Sequence, residues 1–402
     1  VITLADVEAA RARIGHAVEV TRLLSSPALS ALAGRELLLK TENLQRTGSF
    51  KIRGAVNRVA TLPPEARARG VVAASAGNHA QGLAFAAREY GVQATIVMPE
   101  QSSITKVGAT RALGATIVLH GATYDDAYAH ACALQAETGA TFVPAFDDDE
   151  VIAGQGTIGL EIADQCPEAG VVVFPVGGGG LIAGSAVALK ARLPRVRIAG
   201  VQAAGAAAAV AARRAGHPVT LDSIATIADG IALKTVGERT YPLIERYVDD
   251  LVAVEEEEIA EAILILMERA KLIVEGAGAV PLAALLAGRV PATDGPTVLV
   301  LSGGNIDVTF LARIIERGLI RAGRLMRFTV DLPDSPGRLA HLATLVGQVG
   351  GNILHVYHDR GSLDLPITWT RIRMDVETRG DTHAAEIVRR LAEAGYTVRR
   401  LG

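Results

Sequence analysis

The sequence predicts an α/β protein: a body built on a parallel sheet, followed by a smaller β-α-β-β-α-β unit. Three observations carry that prediction. From Gly70 onward, short β-branched runs alternate with stretches of helical periodicity, the order that builds βαβ units. Half of the 402 residues are hydrophobic, which suits strands buried on both faces of a parallel sheet. After Gly323 the order becomes strand, helix, strand, strand, helix, strand, which is ferredoxin-like. A chain of this length holds two or three domains, each able to bury its own core.

The elements follow in order. Ile52, Ala55, Val56 and Val59 recur at i, i+3, i+4 and i+7, so a helix runs to about Leu62, where Pro63-Pro64 stops it. Thr47-Gly48-Ser49 is expected to supply its N-cap. Val71–Ala74 is a strand leading to a helix that starts near Asn78. Further strands lie at Ala94–Met98, Thr116–Leu119, 171–174, 198–201 and 297–301. A charged helix ends near Arg321, and the domain boundary is placed there. Beyond it, the pattern predicts strands at 325–332, 352–358, 367–376 and 396–398. The tail's helices are predicted at 335–349, with Leu339, Leu342, Ala343 and Val346 on one face, and at 382–394.

Composition narrows the function. A formal net charge of -3 without a basic block argues against a nucleic-acid partner. Cys132 and Cys166 are the only cysteines and form no metal-ligand pattern, so a reducing, cytoplasmic setting and no metal are expected. The first residues lack a basic segment followed by an apolar run. The alanine-rich tract around 203–212 is too short and too weakly apolar to span a bilayer, so no membrane partner is expected.

The chemistry concentrates in one lysine and three loops. Lys51 falls in the first turn of its helix, where the macrodipole and unpaired amides disfavour a cation. A neutral amine is favoured there, and a neutral amine can form a Schiff base. Taken alone, this is equally a solvated surface lysine. Each loop directly follows a strand, where open α/β sheets bind ligands. Ser75-Ala76-Gly77-Asn78-His79 opens a helix whose free amides suit a carboxylate; by itself it reads as an ordinary βα turn. In Gly177-Gly178-Gly179-Gly180 no Cβ keeps the backbone from closing around a phosphate. Gly178, Gly180 and Ala183 fit the spacing of a dinucleotide fingerprint. The next strand, however, ends in Gln202 rather than an acid, and there is no P-loop lysine. Ser302-Gly303-Gly304-Asn305 offers a hydroxyl to a heterocycle nitrogen. A Schiff-base lysine, a cradle for one phosphate and a hydroxyl for a ring nitrogen together suit pyridoxal phosphate.

The motifs Ser49-Phe50-Lys51-Ile52-Arg53-Gly54-Ala55, Ser75-Ala76-Gly77-Asn78-His79-Ala80-Gln81-Gly82, the tetraglycine and Ser302-Gly303-Gly304-Asn305 resemble the serine/threonine dehydratase family. The likeness covers almost the whole body. The tail resembles an ACT regulatory domain, so the architecture is similar to a threonine ammonia-lyase carrying one such domain. The resemblance implies a tryptophan-synthase-β-like (type II) fold, with a two-lobed catalytic domain over 1–322, its smaller lobe at roughly 50–150, and an ACT domain over 325–402.

The resemblance also implies roles. Lys51 holds the cofactor and, once displaced, removes the substrate's α-proton, while Phe50 packs against the ring. Asn78 bonds the ring's phenolic oxygen, and Ser75, Ala76, Gly77, Asn78 and His79 hold the substrate carboxylate. Gly177, Gly178, Gly179 and Gly180 bind the phosphate, and Ser302 faces the pyridine nitrogen. The implied reaction takes L-threonine, and also L-serine, to a 2-oxo acid and ammonia. A related serine racemase or a 3-hydroxyaspartate dehydratase is the nearest alternative. Racemases of the family carry a serine at the position of Ala76 and acidic metal ligands after the strand ending in Gln202; here Ala203, Ala204 and Gly205 follow. A non-catalytic amino-acid sensor is the alternative of another class.

Other acidic residues read as structural. Asp147-Asp148-Asp149-Glu150 and Glu255 to Glu258 are expected to cap helices. Glu275 is a candidate neighbour of the ring. In the tail, Asp331, Asp334 and Gly337 form the expected effector site: amides at a helix start for a carboxylate, and an aspartate for an ammonium. The ACT resemblance implies a homodimer or homotetramer, and isoleucine or valine is the expected effector because 2-oxobutanoate made from threonine feeds isoleucine synthesis.

Overall fold

The computed structural model describes residues 2–401; Val1 and Gly402, the end residues of the two expected domains, lie outside them. The chain divides into two compact units, the first ending at Ile306 and the second beginning at Asp307. The division falls ahead of the expected boundary at 322, so the helix Val308–Arg321 goes with the second unit.

Ten strands build the first unit. They are β1 (Leu23–Ser25), β2 (Leu37–Lys40), β3 (Val71–Ala74), β4 (Ala94–Met98), β5 (Thr116–Leu119), β6 (Thr141–Phe142), β7 (Val171–Pro175), β8 (Arg197–Ala203), β9 (Asp250–Val254) and β10 (Thr297–Val300). The larger sheet has the order β1-β2-β10-β7-β8-β9 and is parallel except where β1 joins β2. The smaller sheet, β5-β4-β3-β6, is parallel throughout. Every residue of β7 and β10 is buried, as the continuous apolar runs require of central parallel strands. β1, β2, β6 and β9 were outside the sequence expectation. Three of them are two to four residues long, too short to show a period, and their pairing partners define them.

The helix Lys51–Ala60 packs between Asn78–Glu89 and Asp149–Gln165. Its start corrects one expectation. Phe50 is the N-cap, no side chain caps it, and the Ser49 hydroxyl finds no partner. Thr47 instead adopts a left-handed conformation (φ 63°) within a tight turn that precedes the helix. Asp148 does cap its helix, accepting from the Glu150 and Val151 amides at 2.9 and 3.1 Å. Glu255 stands at the N-cap of Glu256–Ile265.

The second unit has β11 (Leu325–Pro333), β12 (Asn352–Asp359), β13 (Trp369–Glu377) and β14 (Val398–Arg400), all antiparallel in the order β12-β13-β11-β14. With the helices Arg338–Gln348 and Asp381–Glu393, this is the predicted β-α-β-β-α-β order. Phe328, Val330, Leu342, Val346, Ile372, Met374, Ile387 and Leu391 form its core. The last strand starts at Val398 rather than 396, because Tyr396 belongs to the preceding turn, where its hydroxyl meets His341 Nδ1 at 2.7 Å.

Candidate active site

A cavity of about 640 Å³ opens in the first unit, lined by Lys51, Ser75 to His79, Lys106, the glycine loop, Glu275 and Ser302. The three strand-end loops singled out in the sequence, together with Lys51, therefore share one space.

Lys51 is the first residue of its helix. Its Nζ donates to the Ala145 carbonyl at 2.9 Å and lies 5.2 Å from the centroid of the Phe50 ring. Burial lowers its pKa to about 8, against the opposing pull of Glu275. The amine is thus easier to deprotonate than an exposed lysine, and two of the ammonium's three donors remain unspent. The amide of Phe50 donates to the Ser302 carbonyl at 3.1 Å, and Ser49 bridges Gly303, so the lysine turn and the Ser302 loop are stitched together.

The glycine loop runs from β7 into the helix Gly180–Arg192. Gly179 has φ +96°, and a Cβ on Gly178 would overlap the Phe146 ring, so side chains are excluded by conformation and by space. The Gly178 carbonyl is held by the Thr240 hydroxyl at 2.6 Å and the Gly237 amide at 3.1 Å. That turns the carbonyl away and leaves the unpaired amides of a helix start for an anion. A phosphate fits this cradle.

On the opposite side, Ser75 Oγ accepts from the Gly77 amide at 3.2 Å, and Asn78 begins its helix. His79 is buried with Nε2 2.8 Å from the Val143 carbonyl, and burial together with the Lys51 charge lowers its pKa to about 4. The neutral ring donates through Nε2, which makes it a fixed strut rather than a base. Asn78 Nδ2 donates to Glu275 Oε1 at 2.7 Å. Burial, helped by Asp229, raises the Glu275 pKa to about 7. Two ion pairs line the cavity, Lys106 to Asp229 at 2.7 Å and Lys234 to Asp125 at 3.4 Å.

A half-buried lysine shares this cavity with a glycine cradle for a single phosphate and with Ser302. The family model of pyridoxal-phosphate dependent enzymes matches residues 14–303. The chain belongs to that family. It is 48% identical over 401 residues to an L-threonine ammonia-lyase of Thermotoga maritima, covering the whole of both chains. Among solved structures, the processed form of threonine deaminase isoform 2 from Solanum lycopersicum is 39% identical with a TM-score of 0.75, over 78% of this chain and 91% of that one. A maize serine racemase is 34% identical with a TM-score of 0.75, over 79% and 98% respectively. The type II fold of this pyridoxal-phosphate family is therefore common to lyases and racemases, and the residues of the site must separate them.

Gln202, near the end of β8, is spent on the fold. Its Oε1 accepts from the Ala209 and Val210 amides at 2.8 and 3.0 Å, and its Nε2 donates to the Val176 carbonyl at 3.1 Å. In the second unit, Asp331 pairs with Arg371 at 2.7 Å and Asp334 with Arg360 at 2.8 Å, while Gly337 is the N-cap of Arg338–Gln348 (φ +88°). Sequence reasoning missed Ala145, Phe146, Asp229 and Thr240. Ala145, Phe146 and Asp229 line the cavity from stretches without a motif, Thr240 acts on it through the Gly178 carbonyl, and only the acidic run starting at Asp147 marked one of those stretches. Asp147 itself accepts from the Glu238 and Arg239 amides, tying that loop to the turn that leads to Thr240.

Proposed function

We propose that this protein is a threonine ammonia-lyase, converting L-threonine to 2-oxobutanoate and ammonia by β-elimination and accepting L-serine as a second substrate. The observation that carries the reading is Lys51: a lysine with a pKa near 8, on a cavity that also holds a phosphate cradle, with Ala76 where a racemase needs an acid. When bound, pyridoxal phosphate supplies the electron sink that makes the α-proton removable.

The chain's own residues do the rest. Lys51 Nζ takes the α-proton, which its depressed pKa and partial burial favour. The amides of Gly177 to Gly180 hold the phosphate, and Ser302 accompanies the ring nitrogen with a hydroxyl rather than a carboxylate. Ser75 to His79 orient the substrate carboxylate over Lys51, with His79 locked neutral against Val143. Ala76 has no proton to deliver to the opposite face, so the α-carbon is not reprotonated there; the β-hydroxyl leaves as water, balanced by the proton that Lys51 removed, and hydrolysis of the released enamine gives the 2-oxo acid and ammonia. The relatedness to the Thermotoga maritima protein, named an L-threonine ammonia-lyase, supports the choice of substrate.

The test is 2-oxo-acid release from L-threonine, L-serine and 3-hydroxyaspartate, with chiral analysis of the unreacted substrate. Lys51→Ala should lose nearly all turnover together with the near-visible absorbance of the bound cofactor. Substantial D-enantiomer from the wild-type enzyme would overturn elimination without racemisation, and Ala76→Ser should raise any trace of it.

The second unit is read as an ACT-type regulatory domain of a cytoplasmic homodimer or homotetramer in isoleucine synthesis. Its effector is isoleucine or valine, with the carboxylate at the start of Arg338–Gln348 near Gly337 and the ammonium at Asp331 or Asp334. Asp334 is held by an exposed pair with Arg360 at 2.8 Å, with His358 Nε2 at 3.9 Å, and an exposed pair of this kind costs little to open. Calorimetry of the full chain with isoleucine and valine tests this, and the absence of any binding would leave the unit structural.

A further inference from the structure

Two side-chain amides and two accepting groups form a chain of hydrogen bonds at the cavity wall. Asn305 Nδ2 donates to the Thr47 carbonyl at 2.8 Å and to Asn78 Oδ1 at 2.8 Å, and Asn78 Nδ2 donates to Glu275 Oε1 at 2.7 Å. A backbone carbonyl only accepts, and so does an ionised carboxylate. Neither amide can therefore turn over without setting oxygen against oxygen. Both N–H groups of Asn305 are spent, whereas Asn78 keeps one in reserve, on a side chain that lines the cavity with Lys51 and Ser302.

One of the two anchors is built into unusual backbone. Thr47 has φ 63° and Gly48 φ 72°, and a Cβ on Gly48 would overlap Asn305 Oδ1, so this turn is what lets Asn305 come so close. At the other end the Glu275 amide donates to the Gly303 carbonyl at 3.0 Å, fixing the carboxylate to the loop that carries Ser302. Burial lifts the Glu275 carboxyl to about 7, and the Thr47 end holds the direction in either protonation state.

We propose that Glu275 and Asn305 are positioning residues that fix the Asn78 amide so that its remaining N–H, and not its oxygen, is presented to the phenolic oxygen of the cofactor. The assignment rests on the reading of Asn78 given above. An ionised phenolic oxygen needs a donor, and a reversed amide would meet it with another oxygen.

The experiment uses full-length enzyme, with two readouts other than turnover: the absorbance band of the lysine-bound cofactor, and the affinity of the stripped enzyme for pyridoxal 5'-phosphate. Glu275→Gln keeps an accepting oxygen and should leave the band in place, with affinity within about two-fold. Glu275→Leu removes the acceptor, and Asn305→Asp sets a carboxylate against Asn78 Oδ1. Each should shift the band and weaken cofactor binding about ten-fold, the scale of a buried hydrogen bond lost. Wild-type band and affinity in both Glu275→Leu and Asn305→Asp, alongside a changed Asn78→Ala, would overturn the positioning role alone. An unchanged Asn78→Ala would instead overturn the placement of Asn78 at the ring. Equal damage from Glu275→Gln and Glu275→Leu would mean that charge, not the accepting oxygen, is what matters, and would also overturn the proposal.

Discussion

At pH 7 the Lys51 amine of the cofactor-free protein is charged at a site where burial disfavours charge. Its pKa is about 8 in the fold and 10.5 as a free side chain. Between those values the unfolded chain binds more protons, so stability rises with pH across that window, and below about 8 the penalty is at its full size. Lys51→Met should therefore make the cofactor-free protein unfold at a higher temperature than wild type at pH 7. The gap should close as pH approaches 10.5; a pH-independent gap in thermal unfolding would refute this. His79 acts in the same sense at lower pH. Its pKa falls from 6.5 to about 4, so its contribution is complete above 6.5 and lost as pH drops toward 4. His79→Gln, whose amide can still donate to the Val143 carbonyl, should flatten the acid limb of the stability curve over that range.

The helix that carries Lys51 is anchored from behind by charge. Arg53, fully buried, donates to Glu42 at 2.8 Å and to Glu161 at 2.6 Å, and Lys40 donates to Glu161 at 2.5 Å. Strand β2, its following turn and the helix Asp149–Gln165 thus grip the first turn of the lysine helix. Removing one member leaves carboxylates without a counter-ion in a dry interior. Arg53→Met should destabilise the protein by about 3–5 kcal/mol in denaturant titration, although Arg53 touches nothing in the cavity. At the glycine loop, Gly178→Ala sets a methyl group into the Phe146 ring, and the strain of overpacking is about 1–3 kcal/mol. The loop must move to relieve it, so cofactor affinity should fall more than stability. These elements differ in how visible they were. The glycine loop and Lys51 announce themselves because their chemistry is local: four missing side chains, or one cation at the wrong end of a helix. Arg53 gave no signal, because its partners lie eleven and about a hundred residues away.

On the scale of the whole chain, the parallel order of the body and the β-α-β-β-α-β order of the tail were legible, since both depend on the alternation of periods along the sequence. The edge of the large sheet was not. Leu23–Ser25 and Leu37–Lys40 become strands only because β10 and β2 pair, Thr297 opposite Leu37. The cavity wall was legible where it follows a strand directly and hidden where Phe146 and Asp229 arrive by packing. The tail has its own core, and the cavity is lined wholly by residues up to Asn305. An effector can alter turnover only through different affinities for two states of the protein, so catalysis and control are separable in principle. Removing residues from Asp307 onward should leave a protein that keeps the near-visible cofactor band and releases 2-oxobutanoate within a few-fold of the wild-type rate. The same protein should lose any response to isoleucine or valine. A truncated chain that still responds to either amino acid would move the effector site into the body, and one that loses the cofactor band would show that the body needs the second unit to hold its site.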